Sequence, residues 1–122
     1  SQSARKLIDP SIFNKPSIPL IDGTGKIWSP YASDPNQIME YTLGHQVQNT
    51  FDFTSSATVA LKEFCPDKVL LLGPGNSLGA PVGQILIGNN WLSLKSKQEF
   101  LNHQLKDPFI ISMGLRDQRN ML

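Results

Sequence analysis

The chain has 122 residues, of which 39% are hydrophobic and 17% charged, and this composition predicts one globular domain. Eleven basic and ten acidic residues give a formal net charge of +1, so overall charge attracts neither nucleic acid nor a membrane, and we predict neither as a partner. No apolar run reaches the roughly 20 residues of a membrane span, which predicts a cytoplasmic protein. Cys65 is the single cysteine, and we predict no internal disulfide and no metal site.

Three segments of different character follow one another along the chain. Residues 1–16 are mixed and polar, contain two prolines, and predict an irregular lead-in. Residues 17–114 are expected to form the α/β body, and residues 115–122 a polar tail. Within the body, the extended pieces 18–21 and 26–28 flank a glycine-rich turn, a pattern that is typical of a hairpin.

Two helices are predicted before the central strand. Asp34 followed by proline is typical of a helix start, and the apolar stripe that follows is expected to end at Gly44. Apolar residues recur at helical spacing over 53–64, with Asp52 or Thr54 as the cap and a proline as the stop.

The second half of the chain predicts a strand, two helices and a last strand. Four consecutive Val and Leu residues over 69–72 predict a short strand that is buried on both faces. A helix is expected to leave the following turn at Leu78, and the pattern Ser96-x-x-Glu99 is typical of a capping box that opens another helix. With a strand over 109–114, these elements predict an α/β fold of short parallel strands with packed helices.

Residues 75–79 match the pattern G-x-S-x-G, which in hydrolases places a nucleophilic serine between a strand and a helix. Against a nucleophile, Gly73-Pro74-Gly75 separates Ser77 from the strand, and a serine at this place is commonly a helix cap. His45 and His103 are the available bases, and His103 is expected to lie on the solvated surface of a helix. We therefore favour a structural role for Ser77.

The same loop could hold a phosphate, since glycines bring backbone amides close to an anion. Its spacing is one residue longer than G-x-G-x-x-G, and it has no lysine of the kind found in a P-loop. We favour a structural turn that lets the next helix pack closely, formed by Gly73, Pro74, Gly75 and Gly79.

Two further segments, 45–53 and 72–79, stand in the order and at the spacing of a known family. The chain from 18 to about 86 resembles the carboxyl-terminal part of malonyl-CoA:acyl carrier protein transacylases and of related acyltransferase domains, and the extension after it resembles a longer bacterial branch. That family has a segment R-Q-L-x-x-P-V-x-W, then a helix, then a strand that ends in G-P-G and a Leu-Gly pair. Here His45 and Phe53 replace the family's arginine and tryptophan.

The resemblance implies the carboxyl-terminal portion of an α/β-hydrolase-like acyltransferase domain. This family moves a malonyl group from coenzyme A to the phosphopantetheine thiol of acyl carrier protein through an acyl-serine intermediate. By motif position, Gln46 would orient the catalytic histidine through its backbone carbonyl. The family's serine elbow, histidine base and arginine are missing here, so Ser77 would be a decoy nucleophile.

The resemblance also implies partners. These are acyl carrier protein and the missing amino-terminal part of the enzyme; a coenzyme A thioester would be the substrate, with no covalently bound cofactor. A sheet edge left open by the missing strands could also make the isolated piece self-associate. Because the chain starts at Ser1 and lacks the reactive groups, we expect a piece of a longer enzyme that has no turnover alone. The alternatives are a non-catalytic α/β interaction module and a small serine hydrolase that uses Ser77.

Overall fold

A computed structural model describes residues 2–122 of the chain, which divide into a first unit ending at Val59 and a second unit beginning at Ala60. The first unit opens with helix α1, Gln2–Leu7, and a 3-10 turn, Pro10–Ile12. The expectation of an irregular lead-in was therefore wrong for these residues. Asp9 starts the 3-10 turn because its carboxylate accepts a hydrogen bond from the Ser11 amide at 2.9 Å.

The predicted hairpin is confirmed. Strand β1, Leu20–Ile21, pairs antiparallel with strand β2, Ile27–Trp28, and Leu20 lies opposite Trp28. Asp22 begins the turn between them, where its amide donates to the Lys26 carbonyl at 3.0 Å.

Helix α2, Pro35–Glu40, begins as predicted, since the Asp34 carboxylate accepts from the Asn36 amide at 2.9 Å. The predicted end at Gly44 was wrong. The chain continues through a π-helical turn, Tyr41–His45, into the short helix α3, Gln46–Gln48.

Helix α4, Phe53–Phe64, follows with the predicted bounds and runs from the first unit into the second. Of the two predicted caps, Asp52 is the one that acts, because its carboxylate accepts from the Ser55 amide at 3.0 Å.

The second unit contains a parallel sheet of two short strands. Strand β3, Val69–Leu71, pairs with strand β4, Ile110–Ser112, and Val69 lies opposite Ile110. Helix α5, Gly79–Gly88, and helix α6, Lys97–Lys106, lie between the strands in sequence, and helix α7, Arg116–Arg119, follows β4 within the polar tail. The described chain is thus a mixed α/β protein with one antiparallel and one parallel sheet.

The core of the second unit is formed by buried apolar side chains from both strands and from α5. They include Leu71, Val82, Ile85, Leu86, Phe109, Ile110 and Ile111. The inward face predicted for α5 is therefore confirmed. The predicted capping box of α6 is confirmed in its Ser96 half, since the Ser96 hydroxyl accepts from the Glu99 amide at 3.2 Å. The Glu99 carboxylate accepts from the Lys95 amide at 2.7 Å instead of from the Ser96 amide.

Strand β3 is not buried on both faces, as the apolar run had suggested. Leu71 is buried, but Leu70 is 44% exposed and Leu72, just after the strand, is 78% exposed. Cys65, at the end of α4, is exposed as well. Within residues 2–122, no helix is both long and apolar enough to cross a membrane.

Candidate functional site

Gln46 lies near the end of the continuous helical stretch that α2, the π-helical turn and α3 form. Its amide donates to the Tyr41 carbonyl five residues earlier, which closes the π-helical turn. Three residues after Gln46, the chain leaves the helix at Asn49, whose backbone is extended (φ −119°, ψ 152°). Such π turns occur frequently at functional sites.

The backbone carbonyl of Gln46 is free within the described residues. The last four carbonyls of a helix have no partner inside that helix. Asn49 satisfies the carbonyl of His45 with its amide at 2.9 Å and its side chain at 3.1 Å, but no donor reaches the next carbonyl, that of Gln46. The Gln46 side chain is exposed. The chain therefore presents an unpaired acceptor at the residue that the resemblance singled out.

Aromatic rings connect this helix end to the hairpin. The Tyr41 ring stacks on the His45 ring, with centroids 5.5 Å apart and planes 20° apart. The Tyr41 hydroxyl accepts a hydrogen bond from the Gly23 amide at 2.7 Å, and the Trp28 ring lies 6.3 Å from the Tyr41 ring. The π-helical turn is thus held from one side by the β1–β2 turn.

Asp22 organises that turn and was missed as an important residue from the sequence. It is 6% exposed. One carboxylate oxygen accepts from the Thr24 amide at 2.8 Å, the Thr24 hydroxyl at 2.6 Å and the Lys26 amide at 3.1 Å. The other accepts from the Trp28 indole at 2.9 Å. The pattern Asp-Gly-Thr-Gly was the available signal, since aspartate commonly binds the backbone two residues onward.

The hydrogen bonds around the Asp22 carboxyl keep its pKa low despite its burial. Burial raises its pKa, but the hydrogen bonds from Thr24, Lys26 and Trp28 outweigh burial, so its pKa lies below the ordinary value. The Ser56 hydroxyl also donates to the Asp22 carbonyl at 2.5 Å, which fixes the start of α4 to the hairpin.

Gly44 lies inside the π-helical turn, and the Arg5 side chain passes close to it. A Cβ atom at Gly44 would lie 2.6 Å from the Arg5 guanidinium. Arg5 in turn pairs with Glu40 at 2.9 Å. The Arg5 guanidinium is the end of a flexible, exposed side chain, so a side chain at position 44 would displace it at small cost.

The glycine turn after β3 forms the candidate site of the second unit. Gly73 and Gly75 have φ values of +100° and +68°, which favour glycine, and a cis peptide joins Gly73 to Pro74. The Ser112 hydroxyl, 2% exposed, donates to the Gly75 carbonyl at 3.1 Å and accepts from the Gly114 amide at 3.2 Å. The turn is therefore fixed to the end of β4.

Close packing at this turn depends on Gly114 rather than on Gly79. A Cβ atom at Gly79 would make ordinary contact with Leu71 at 3.9 Å. A Cβ atom at Gly114 would overlap the Gly75 carbonyl group and lie 2.6 Å from the Gly75 Cα. The prediction that the turn is structural named Gly79 and missed Gly114, because the partner is 39 positions away in the sequence.

Ser77 does not cap α5, so the helix-cap interpretation was wrong. Leu78 is the residue before the helix and gives it no side-chain cap, while the Gly79 amide donates to the Asn76 carbonyl at 2.9 Å. The Ser77 side chain is exposed and forms no hydrogen bond with any described residue. His103, the histidine of the same unit, is only half exposed, and its Nδ1 is buried without a partner rather than solvated as expected.

The two edges of the parallel sheet differ. At β4, the Gln104 side chain accepts from the Phe109 and Ile110 amides at 2.8 and 2.9 Å and donates to the Ile110 carbonyl at 3.0 Å. The Gln118 side chain accepts from the Ser112 amide at 2.8 Å. These glutamines occupy the backbone groups that a further strand would need.

The edge of β3 is open. The Val69 amide and the Leu71 carbonyl point to β4, where they bond to Phe109 at 2.9 Å and to Met113 at 2.8 Å. Because a strand alternates, the amide and carbonyl of Leu70 point to the opposite edge, where no described residue pairs with them. Within residues 2–122, the sheet can therefore grow at β3 and not at β4.

Comparisons of the chain with protein-family models, with curated proteins and with solved structures give no match. Among the described residues, no group of three or more His, Cys, Asp or Glu side chains could hold a metal ion. The features with functional potential are the free carbonyl of Gln46, the glycine turn after β3 and the open edge of β3.

Proposed function

We propose that the chain is the carboxyl-terminal part of an α/β-hydrolase-like acyltransferase of the malonyl-CoA:acyl carrier protein transacylase family. The observation that carries the proposal is the free carbonyl of Gln46 at the end of its helix. The resemblance requires such an acceptor at this glutamine, and its partner would be a histidine outside the chain.

In the proposed reaction, the Gln46 carbonyl accepts a hydrogen bond from one ring nitrogen of that histidine. The other nitrogen is then unprotonated and takes the proton of the catalytic serine, as in a Ser-His-Asp triad. The serine oxygen attacks the thioester carbonyl of malonyl-coenzyme A, and coenzyme A leaves as the thiol. The phosphopantetheine thiol of acyl carrier protein then attacks the acyl-serine and regenerates the serine hydroxyl.

The open edge of β3 supports the same proposal. Leu70 and Leu72 are exposed apolar side chains at this edge, and the other edge of the sheet is occupied by Gln104 and Gln118. In the proposed enzyme, a strand from the preceding part of the protein pairs with the Leu70 amide and carbonyl, and its own side chains pack beside these leucines on the face of the sheet. The enzyme would act in the cytoplasm, with acyl carrier protein and a coenzyme A thioester as its substrates.

The experiment compares three variants of the natural gene product, purified from its source and assayed for malonyl transfer to acyl carrier protein. Val47→Pro forces Gln46 out of the helical region and moves its carbonyl, so we expect a rate loss of about 10- to 100-fold. Val47→Ala is the matched control at a side chain that is 63% exposed, and it should keep the rate. Gln46→Ala keeps the carbonyl and should also keep most of the rate.

Amide hydrogen exchange of the Asp22 amide checks that the three variants remain folded, because this amide bonds within the hairpin. A rate loss in Gln46→Ala, or an unchanged rate in a folded Val47→Pro variant, would contradict the role of the carbonyl. The 122-residue chain alone should show no turnover. Stoichiometric acylation of Ser77 would contradict both the proposal and the view of Ser77 as a decoy.

A non-catalytic interaction module is the second candidate, and the open edge of β3 favours it. An extended segment of a partner, or of a second copy, could pair with Leu70 and cover Leu72. The two candidates differ in the natural product. A gene product that contains this chain and transfers no malonyl group would favour the module.

A further inference from the structure

A cleft of about 540 Å³ lies within the second unit, between α5, α6, α7 and the sheet. Leu71 and Ile110 form its floor, and Ile87, Phe100 and Leu101 form apolar walls. This volume falls in the range of small-molecule sites in proteins, which are mostly apolar with few polar groups. The cleft is separate from the Gln46 segment, and its use does not depend on the function proposed above.

The wall formed by Phe100 is preformed. Its ring lies against α5 at Gly83, where a Cβ atom would approach the ring to 2.9 Å. Gly83 is buried and lets the two helices approach closely. An apolar ligand would therefore meet a surface that needs no rearrangement.

Most polar groups in the deep part of the cleft already form hydrogen bonds with the protein. The amide of Gln104 and the hydroxyl of Ser112 both bond to backbone groups of the sheet and its turn, and the carbonyl of Gln118 accepts from the Ser112 amide. Of these three side chains, only Gln118 keeps a polar atom, its amide nitrogen, that forms no hydrogen bond with a described residue. Such a surface favours a hydrocarbon chain.

The rim of the cleft carries charged and polar side chains that are exposed. Lys97 is the one charged residue among those that line the cleft, and its side chain forms no ion pair with a described residue. Gln84 lines the cleft as well, is exposed, and forms no side-chain hydrogen bond within residues 2–122. No carboxylate lines the cleft to repel an anion. The charge of the rim therefore complements an acidic head group.

We propose that this cleft binds a medium-chain monocarboxylate, with its hydrocarbon chain against Phe100 and Leu101 and its carboxylate beside the Lys97 ammonium. Each methylene that enters the apolar part should raise the affinity about fourfold. The contact with Lys97 lies at the solvent boundary, so its contribution should be about two- to fivefold.

The experiment titrates the full chain with octanoate and decanoate below their micelle concentrations and with decanol below its solubility limit. Binding is followed by calorimetry and by amide chemical shifts. We expect saturable binding, tighter for decanoate than for octanoate, with shifts at Gly83 and Phe100. Leu101→Gln should weaken decanoate about five- to tenfold. Leu105→Gln is the matched control on the same helix, because Leu105 is 85% exposed and outside the cleft, and it should have no effect.

Lys97→Gln should weaken decanoate and leave decanol unchanged, whereas Lys106→Gln, outside the cleft on the same helix, should change neither. These four side chains are exposed, so the variants should fold, and the amide spectrum verifies it. Absence of saturable binding, equal effects of Leu101→Gln and Leu105→Gln, or equal effects of Lys97→Gln on decanol and decanoate would overturn the proposal.

Discussion

Gly114→Ala is the substitution whose effect follows most directly from the structure. The new methyl group would overlap the Gly75 carbonyl group, and the obstacle is backbone, which cannot rotate away as a side chain does. The Gly75 carbonyl also holds the Ser112 hydroxyl at 3.1 Å, so moving the turn disturbs that bond. Overpacking commonly costs about 1–3 kcal/mol, and we expect the upper part of this range.

The assay is urea unfolding together with amide hydrogen exchange. The Met113 amide bonds to Leu71 beside the strained turn and should lose protection, whereas the Asp22 amide, in the first unit, should keep it. Gly88→Ala is the matched control, because nothing lies within 4 Å of its Cβ position, and it should be neutral or stabilise by up to about 1 kcal/mol. A Gly114→Ala free energy of unfolding within about 0.5 kcal/mol of the wild type would refute the reasoning.

The remaining predictions concern the hairpin, the sheet edge and the π-helical turn. The folded-state pKa of Asp22 is depressed, so its contribution to stability is present above the unfolded pKa of about 3.9 and is lost as pH falls through the folded value. Asp22→Asn should reduce the free energy of unfolding at pH 7 by about 1–3 kcal/mol. In acid titrations, the free energy of unfolding of this variant should fall less steeply below pH 4 than that of the wild type, and an equally steep fall would contradict this. Gln104→Ala leaves buried backbone groups unpaired and should cost about 1–3 kcal/mol in urea unfolding. Gln98→Ala, on the exposed face of the same helix, should cost almost nothing. Equal costs of the two variants would contradict the role of Gln104 at the sheet edge. Gly44→Ala should displace the Arg5 guanidinium, and chemical shifts can follow this displacement. The free energy of unfolding should fall by less than about 1 kcal/mol, because the Arg5–Glu40 ion pair that the variant disturbs is exposed. A larger loss would contradict this prediction.

Features that depend on neighbours in sequence could be predicted from the sequence. The helix starts at Asp34 and Ser96 are examples, because the capping side chain and the amide that it satisfies lie two or three residues apart. The bounds of α4 and the inward face of α5 followed from apolar spacing for the same reason. The mixed α/β class and the strand that leads into the glycine turn are confirmed as well.

Features set by distant residues could not be predicted in this way. Gly44 has the local pattern of a helix end, but the chain continues there through the π-helical turn, whose Tyr41 bonds to Gly23. Ser77 has the pattern of a cap, yet the turn is held by Ser112 from the other strand. The apolar run of β3 suggested burial on two faces, and the exposure of Leu70 depends on which strands lie beside it.

The role of Gln46 stays a prediction, since the sequence identified the segment by resemblance and the structure adds the free carbonyl. The edge of β4 was not foreseen at all. Gln104 and Gln118 have no local signal for binding a strand edge, because their partners are fixed only when the helices pack on the sheet.

The most direct test of the acyltransferase proposal labels a cell extract with radioactive malonyl-coenzyme A and isolates every protein that contains this sequence. Mass spectrometry of the isolated protein then locates the label. The proposal predicts a labelled protein larger than 13.5 kDa, with the malonyl group on a serine outside these 122 residues and transfer of the label to added acyl carrier protein. A label on Ser77, or an isolated protein with no label, would contradict it.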